Sequence, residues 1–163
     1  MARLPFSFNA IGLFSLIALC PTVSATPRHE TYIAGHYVAA SPQPDLRPAA
    51  EVARLACQLA TAHPGAFVVR GEGKSMQPLY PNGTLLVIQP RPFETLARGM
   101  TVVFRDDANR FIAHVLVART GDGWRTAGLN NRRDDYICVK ADNIAGVVIA
   151  AYTEIKDRSL AMN

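Results

Sequence analysis

A mainly β fold, built as a bent antiparallel sheet or partly open barrel with one short helix before it, follows from three features of the sequence. Seven short apolar runs rich in β-branched residues occupy 66–70, 84–89, 101–105, 110–118, 123–127, 136–139 and 144–152. Turn signals such as Pro81-Asn82-Gly83, Gly121-Asp122-Gly123 and Asn130-Asn131 separate them. This spacing suits strands joined by tight turns and leaves no room for alternating β/α units. Only Ala49 to Ala60 has helical character: strong helix formers with Val52, Leu55, Cys57 and Leu59 near one side, Pro48 suited to the first turn and Pro64-Gly65 to the stop. A chain of 163 residues, 49% hydrophobic and 18% charged, has the profile of one globular domain with some additional sequence.

The additional sequence lies mostly at the start. Arg3 precedes the apolar run from Ala10 to Leu19, then Cys20-Pro21, and Val23-Ser24-Ala25 puts small residues at both key cleavage positions. That is the layout of a secretory signal peptide over residues 1–25. The apolar stretch is interrupted by Pro21 and falls short of the roughly 20 residues of a spanning helix. Cleavage after Ala25 is the expectation, and an uncleaved N-terminal membrane anchor the alternative. Either way Arg3 stays on the cytoplasmic side and the remainder is exported. A lipid-modified Cys20 fits less well, since bulky Leu19 stands where a small residue is needed. Residues 26–48, with Pro27, Pro42, Pro44 and Pro48 and little periodicity, read as a linker. The folded domain is then 49–155, and 156–163 a C-terminal tail.

Composition also excludes several functions. A formal charge of +4, from 17 basic and 13 acidic residues without a long basic block, does not suit a nucleic-acid partner. Histidines at 29, 36, 63 and 114 and the cysteines lack metal-ligand spacing, and no glycine loop opens a helix as a phosphate site requires. Neither a metal nor a cofactor is therefore expected. His63, at the end of the helical stretch, suits the helix dipole and is assigned no chemistry. With Cys20 removed, Cys57 and Cys138 remain in a compartment where disulfides persist. They either pair or serve as small buried apolar side chains.

Chemistry concentrates in the second half. In Arg70-Gly71-Glu72-Gly73-Lys74-Ser75-Met76-Gln77-Pro78 a serine sits in a glycine-rich turn directly after the apolar run 66–69. Glycines permit a shaped backbone there, and Pro78 and Pro81 prevent a helix. A serine hydroxyl is a weak nucleophile unless a base removes its proton, and imidazole suits that task near neutral pH. His114 interrupts the apolar strand Phe111 to Val117. A carboxylate on the second imidazole nitrogen would fix the tautomer and stabilise the cation. The loop Gly128-Leu129-Asn130-Asn131-Arg132-Arg133-Asp134-Asp135 offers two adjacent acids for that role.

These segments, with Gly99-Met100-Thr101-Val102-Val103-Phe104, stand in the order and spacing of the type I signal peptidases. More broadly the chain resembles the S24/S26 superfamily of serine peptidases, which also contains the LexA-type self-cleaving proteins. The similarity spans residues 66 to 150. It is closest to the branch whose base is histidine, with Gly-x-Ser-Met-x-Pro, Ile-x-His and Gly-Asp-Asn-Asn-x-x-Asp-Asp. The resemblance implies Ser75 as nucleophile, His114 as general base and Asp135 as orienting acid, with Lys74, Met76 and Pro78 flanking the substrate or oxyanion side. It also implies a bent β-structure with a groove in which an extended substrate adds as a strand. The Ser75 amide would help to stabilise the oxyanion. The chain departs from the pattern at Thr84, Met100 and Leu129, where the family has acids, and at Val115, where it has arginine.

The expected function is that of an exported or membrane-tethered serine endopeptidase acting on peptide or exported protein substrates. Two alternatives stand beside it: self-processing of the LexA type at Ala34-Gly35, and a catalytically inactive peptide-binding relative.

Overall fold

The computed structural model describes residues 31–155. The expected signal peptide or anchor at 1–25, the first residues of the expected linker and the tail at 156–163 lie outside the described residues. Among the described residues no helix is long and apolar enough to cross a membrane. The elements run β1 (Tyr32–Ile33), β2 (His36–Tyr37), β3 (Pro44–Arg47), α1 (Ala49–Ala62), β4 (Phe67–Arg70), β5 (Leu85–Gln89), β6 (Thr101–Arg105), β7 (Phe111–Thr120), β8 (Gly123–Ala127) and β9 (Ile144–Glu154). The fold is mainly β, as the sequence indicates.

Strands β4 to β9 form an antiparallel sheet in the order β4-β5-β9-β6-β7-β8. Among the described residues it does not close into a barrel, because the one strand that β4 pairs with is β5 and the one strand that β8 pairs with is β7. The last of the described strands is thus central. One edge of β9 pairs with β5, and the other with β6 through residues 144–147 and with β3, in parallel, through 151–154. Gly146 marks an irregularity in the β6 pairing. The β6–β9 register slips beside it, its φ is +158°, and a Cβ there would lie 2.6 Å from the Gln89 carbonyl oxygen.

Why the strands read as unbroken apolar runs is visible in what their two faces meet. Val103, Val115 and Val148 join Leu86, Ile88, Met76, Leu79 and Tyr80 in one buried cluster. Their neighbours Val102, Phe104, Leu116 and Val147 point the other way, into a second cluster with Leu96, Trp124 and Val139. Leu85 and Val87 pack against α1 through Val52 and Ala56. A strand covered on both faces loses polar alternation. In α1, Val52 and Ala56 are buried and Leu55 and Leu59 half-buried, whereas Cys57 is exposed, contrary to its expected place on the inner side. Cys57 and Cys138 are both free thiols, so neither a disulfide nor a buried Cys57 is found.

Two sequence expectations need correction. The run 136–139 is not a strand: Tyr136 is 87% exposed, and Val139 makes only an isolated bridge to Trp124. Residues 31–48 are not a tether but part of the fold. A two-residue turn, with Ala34 at φ 50° and Gly35 at φ 79°, joins β1 to β2. Val38 is fully buried in the cluster beneath the sheet. Buried Ser41 donates its hydroxyl to the Gly99 carbonyl at 2.8 Å and lies 2.7 Å from the Thr101 hydroxyl. The Tyr80 hydroxyl donates to the Pro42 carbonyl at 2.8 Å. Burial pushes the Tyr80 phenol well above its ordinary pKa, which keeps it a neutral donor. These are single contacts and main-chain pairs, and they leave little trace in hydrophobic periodicity.

Candidate active site

Ser75 lies in the connection between β4 and β5. The entry to that loop is fixed by backbone hydrogen bonds from Gly71 to Thr84 and from Gly83 to Gly71, each 2.8 Å, and by the Gly73 amide donating to Asn82 Oδ1 at 2.8 Å. Its exit is anchored by Met76, Leu79 and Tyr80, all buried. Ser75, between these anchors, is half-buried. The Asn130 amide donates to the Ser75 carbonyl at 2.7 Å, tying the loop to the connection that follows β8.

His114 stands on β7, opposite Val102 of β6, and its side chain is 8% exposed. The Phe104 ring meets it edge-on at 6.5 Å. Nδ1 is 2.6 Å from Asp135 Oδ2. An ionised carboxylate only accepts, so Nδ1 is the donor in this contact, and Nε2 is the nitrogen turned away from Asp135. The two adjacent acids separate cleanly. Asp135 turns inward to His114, while Asp134 turns outward to Arg125, with 2.7 Å between Oδ2 and Nε.

Gly128 has a steric role beside the imidazole. A Cβ at this position would lie 2.8 Å from His114 Nε2 and 2.7 Å from Asn131 Nδ2, closer than such contacts tolerate. Gly128→Ala is therefore expected to push the imidazole or the loop aside and to lower kcat/KM by roughly 100-fold, the effect of misplacing a reacting group by about 1 Å. Steady-state kinetics beside a thermal melt would check this, with the melt expected to change far less than the rate.

A cavity of about 300 Å³ brings these parts to one place. Ser75, Met76 and His114 line it, along with Val69 and Arg70 of β4 and Phe111 of β7. Of the side chains expected to flank the nucleophile, Met76 serves as core and cavity wall together, whereas Lys74 and Pro78 are exposed and outside the lining. The Asp135 carboxylate adjoins a second, smaller cavity of about 140 Å³ on the far side of His114. One further side chain, absent from the sequence reading, reaches the pair: the Thr126 hydroxyl lies 2.6 Å from Asp135 Oδ2. Its signal in the sequence was a polar residue two positions from Trp124 on β8, on the inward side by strand alternation.

The departures from the family pattern are also accounted for locally. Val115 and Leu129 are both buried in the same cluster. Where the resemblance calls for an arginine and an acid, this chain has two apolar side chains. Thr84 is fully buried and donates to the Pro81 carbonyl at 2.7 Å. Half-buried Met100 turns its sulfur to the Ala97 amide at 3.4 Å.

A bent β-sheet on which a serine and a histidine line one cavity, with a carboxylate 2.6 Å from the imidazole on its other side, is compatible with the layout of a serine peptidase. Comparison with known families agrees. The sequence model of the Peptidase S24-like family matches residues 31–149, and the chain belongs to that family, within the S24/S26 superfamily of serine peptidases. The match begins at the β1–β2 hairpin, in keeping with that arm's place in the fold. No curated protein matches the sequence.

Proposed function

We propose that the chain is a serine endopeptidase of the signal-peptidase type, cleaving exported peptide or protein substrates with Ser75 as nucleophile, His114 as general base and Asp135 as orienting acid. The observation that carries this reading is the 2.6 Å contact between His114 Nδ1 and Asp135, which leaves Nε2 as the free nitrogen of a residue lining the same cavity as Ser75. In the proposed reaction Ser75 Oγ attacks the scissile carbonyl and its proton passes to Nε2. The imidazolium is stabilised by Asp135 and then protonates the departing amine. Water hydrolyses the acyl-enzyme with His114 again as base. The Ser75 amide donates to no backbone carbonyl among the described residues, so it is available to the developing oxyanion.

The cleft also suits an extended substrate. The outer edge of β4 is unpaired among the described residues, and β8 pairs with β7 only from Val115 onward, so residues 111–114 have an open edge as well. Four antiparallel steps separate β4 from β7 in the sheet order, so the two edges run in the same direction. A strand inserted between them would meet both in one sense. Export rests on the layout of residues 1–25. Self-processing after Ala34 has less support, because that bond lies in a tight turn with Ala34 at positive φ, far from the extended form of a peptidase substrate.

A fluorophosphonate probe tests the assignment. Its phosphorus bonds to the serine oxygen, fluoride leaves, and the hydroxyl proton passes to the base. The wild-type protein is expected to be labelled and Ser75→Ala to remain unlabelled. Labelling that survives Ser75→Ala would move the nucleophile elsewhere. Absent labelling with retained peptide binding would make the chain a binding module.

A further inference from the structure

We infer that Thr126 is a positioning residue of the site, holding the Asp135 carboxylate in the orientation that the imidazole requires. The inference rests on the catalytic reading of Ser75, His114 and Asp135 given above. Asp135 Oδ2 lies 2.6 Å from His114 Nδ1 and 2.6 Å from the Thr126 hydroxyl. One oxygen therefore accepts two short hydrogen bonds from different strands, β7 and β8. Two donors on one carboxylate oxygen define its direction, where a single donor would allow the group to swing about the bond. The backbone reinforces the arrangement, since the Asp135 amide donates to the Thr126 carbonyl at 2.8 Å. Thr126 itself is fully buried, so its hydroxyl has no water to turn to. Its bond to a charged acceptor is of the stronger, charge-assisted kind.

The loop from 128 to 135 is long and its residues 130–134 are exposed. Asp135 at its end would otherwise be held by one main-chain bond and the histidine alone. Thr126, on a strand paired to the one bearing His114, transfers the rigidity of the sheet to the acid. Partners outside the reacting groups that orient a ligand or base in this way are typically worth 10- to 100-fold in activity.

Among the described residues the other charges about the pair make no hydrogen bond or ion pair with its oxygen. Asp106 and Arg110 form an ion pair beside the rear cavity, which Tyr136 also lines, Asp134 is taken by Arg125, and Arg70 and Glu72 line the cavity of Ser75. The hydroxyl is thus the neutral group that shares Oδ2 with the imidazole. Removing it concentrates the carboxylate charge on the imidazole and favours the cation, so the acid limb of the rate profile should move to higher pH.

The experiment is the rate of fluorophosphonate labelling against pH for wild type, Thr126→Val, Thr126→Ala and Thr126→Ser. The Val and Ala variants are expected to label roughly 10- to 100-fold more slowly, with the acid limb displaced to higher pH. The Ser variant, which keeps the hydroxyl and loses the methyl, should label within about three-fold of wild type with the limb in place. A role in packing alone would instead spare Val and penalise Ser, and would leave the limb where it is. Thr126→Ala serves if Thr126→Val fails to fold, and thermal melts of each variant identify that case. Wild-type rate and profile in the hydroxyl-free variants, or a Ser variant as slow as Val, would overturn the inference while leaving the catalytic reading intact. An unlabelled wild-type protein would remove the catalytic reading and this inference with it.

Discussion

His114→Ala is expected to lower kcat/KM on a signal-peptide-like substrate by roughly 10⁴-fold or more, because a serine without its base has lost the acceptor for its proton. The two adjacent acids should then separate the site from its surface. Asp135→Asn keeps the shape but leaves Nδ1 facing an amide, which permits the wrong tautomer and removes the charge that stabilises the imidazolium. A fall of roughly 10³- to 10⁴-fold follows. Asp134→Asn breaks only the partly exposed bond to Arg125 and should cost less than about five-fold, within the ~1 kcal/mol of a surface ion pair. The pH profile provides an independent check: the rate should fall toward acid as the base takes up a proton. Equal losses at Asp134 and Asp135, or activity surviving His114→Ala, would defeat the assignment of roles.

Leu129→Asp is expected to destabilise the domain strongly even though it installs the acid that the sequence resemblance calls for at this position. Leu129 is 2% exposed and packs in a cluster containing Val115, Val103 and Met76. A carboxylate placed there without a partner is a buried unpaired charge, which costs roughly 3–5 kcal/mol. For a domain of this size that is a drop in Tm of roughly 10–20 °C. The double variant Leu129→Asp/Val115→Arg should recover part of the loss, since the two positions are in one cluster and the charges could pair. It should not exceed wild type, because well-packed apolar side chains commonly match or surpass a buried ion pair. Thermal melts of the two single variants and the double form the cycle. A single Asp variant within about 1 kcal/mol of wild type would contradict this account of the substitution. On this view the 128–135 loop rests on an apolar support at Leu129 and Val115.

Much of this was legible in the sequence, and the exceptions have physical causes. Strands buried on both faces gave continuous apolar runs, so β4 to β9 could be bounded from residue type alone. The run at 136–139 misled because Ile137, Cys138 and Val139 are apolar for reasons of local cover, not strand pairing. The arm at 31–48 was hidden for the opposite reason. β3 joins β9 through main-chain bonds across more than a hundred residues, and Pro44 at its start tolerates an edge position. Main-chain pairing carries no side-chain signature. Ser75 and His114 stood out because each interrupts its surroundings. The choice between Asp134 and Asp135 depended on which one Arg125 captures, a contact that neighbouring positions in a loop do not announce. Thr126 required the inward direction of β8 to be known first.

The position of β9 sets a condition on when the proposed site can form during synthesis. Ser75 belongs to the β4–β5 hairpin and His114 to the β6-β7-β8 meander, and in the sheet these two pieces meet only through β9. Until residues 144–154 have emerged from the ribosome, Ser75 and His114 are carried by substructures with no strand in common. A chain still emerging from synthesis thus has the proposed site incomplete. Assembly of the proposed site is linked to the arrival of β9.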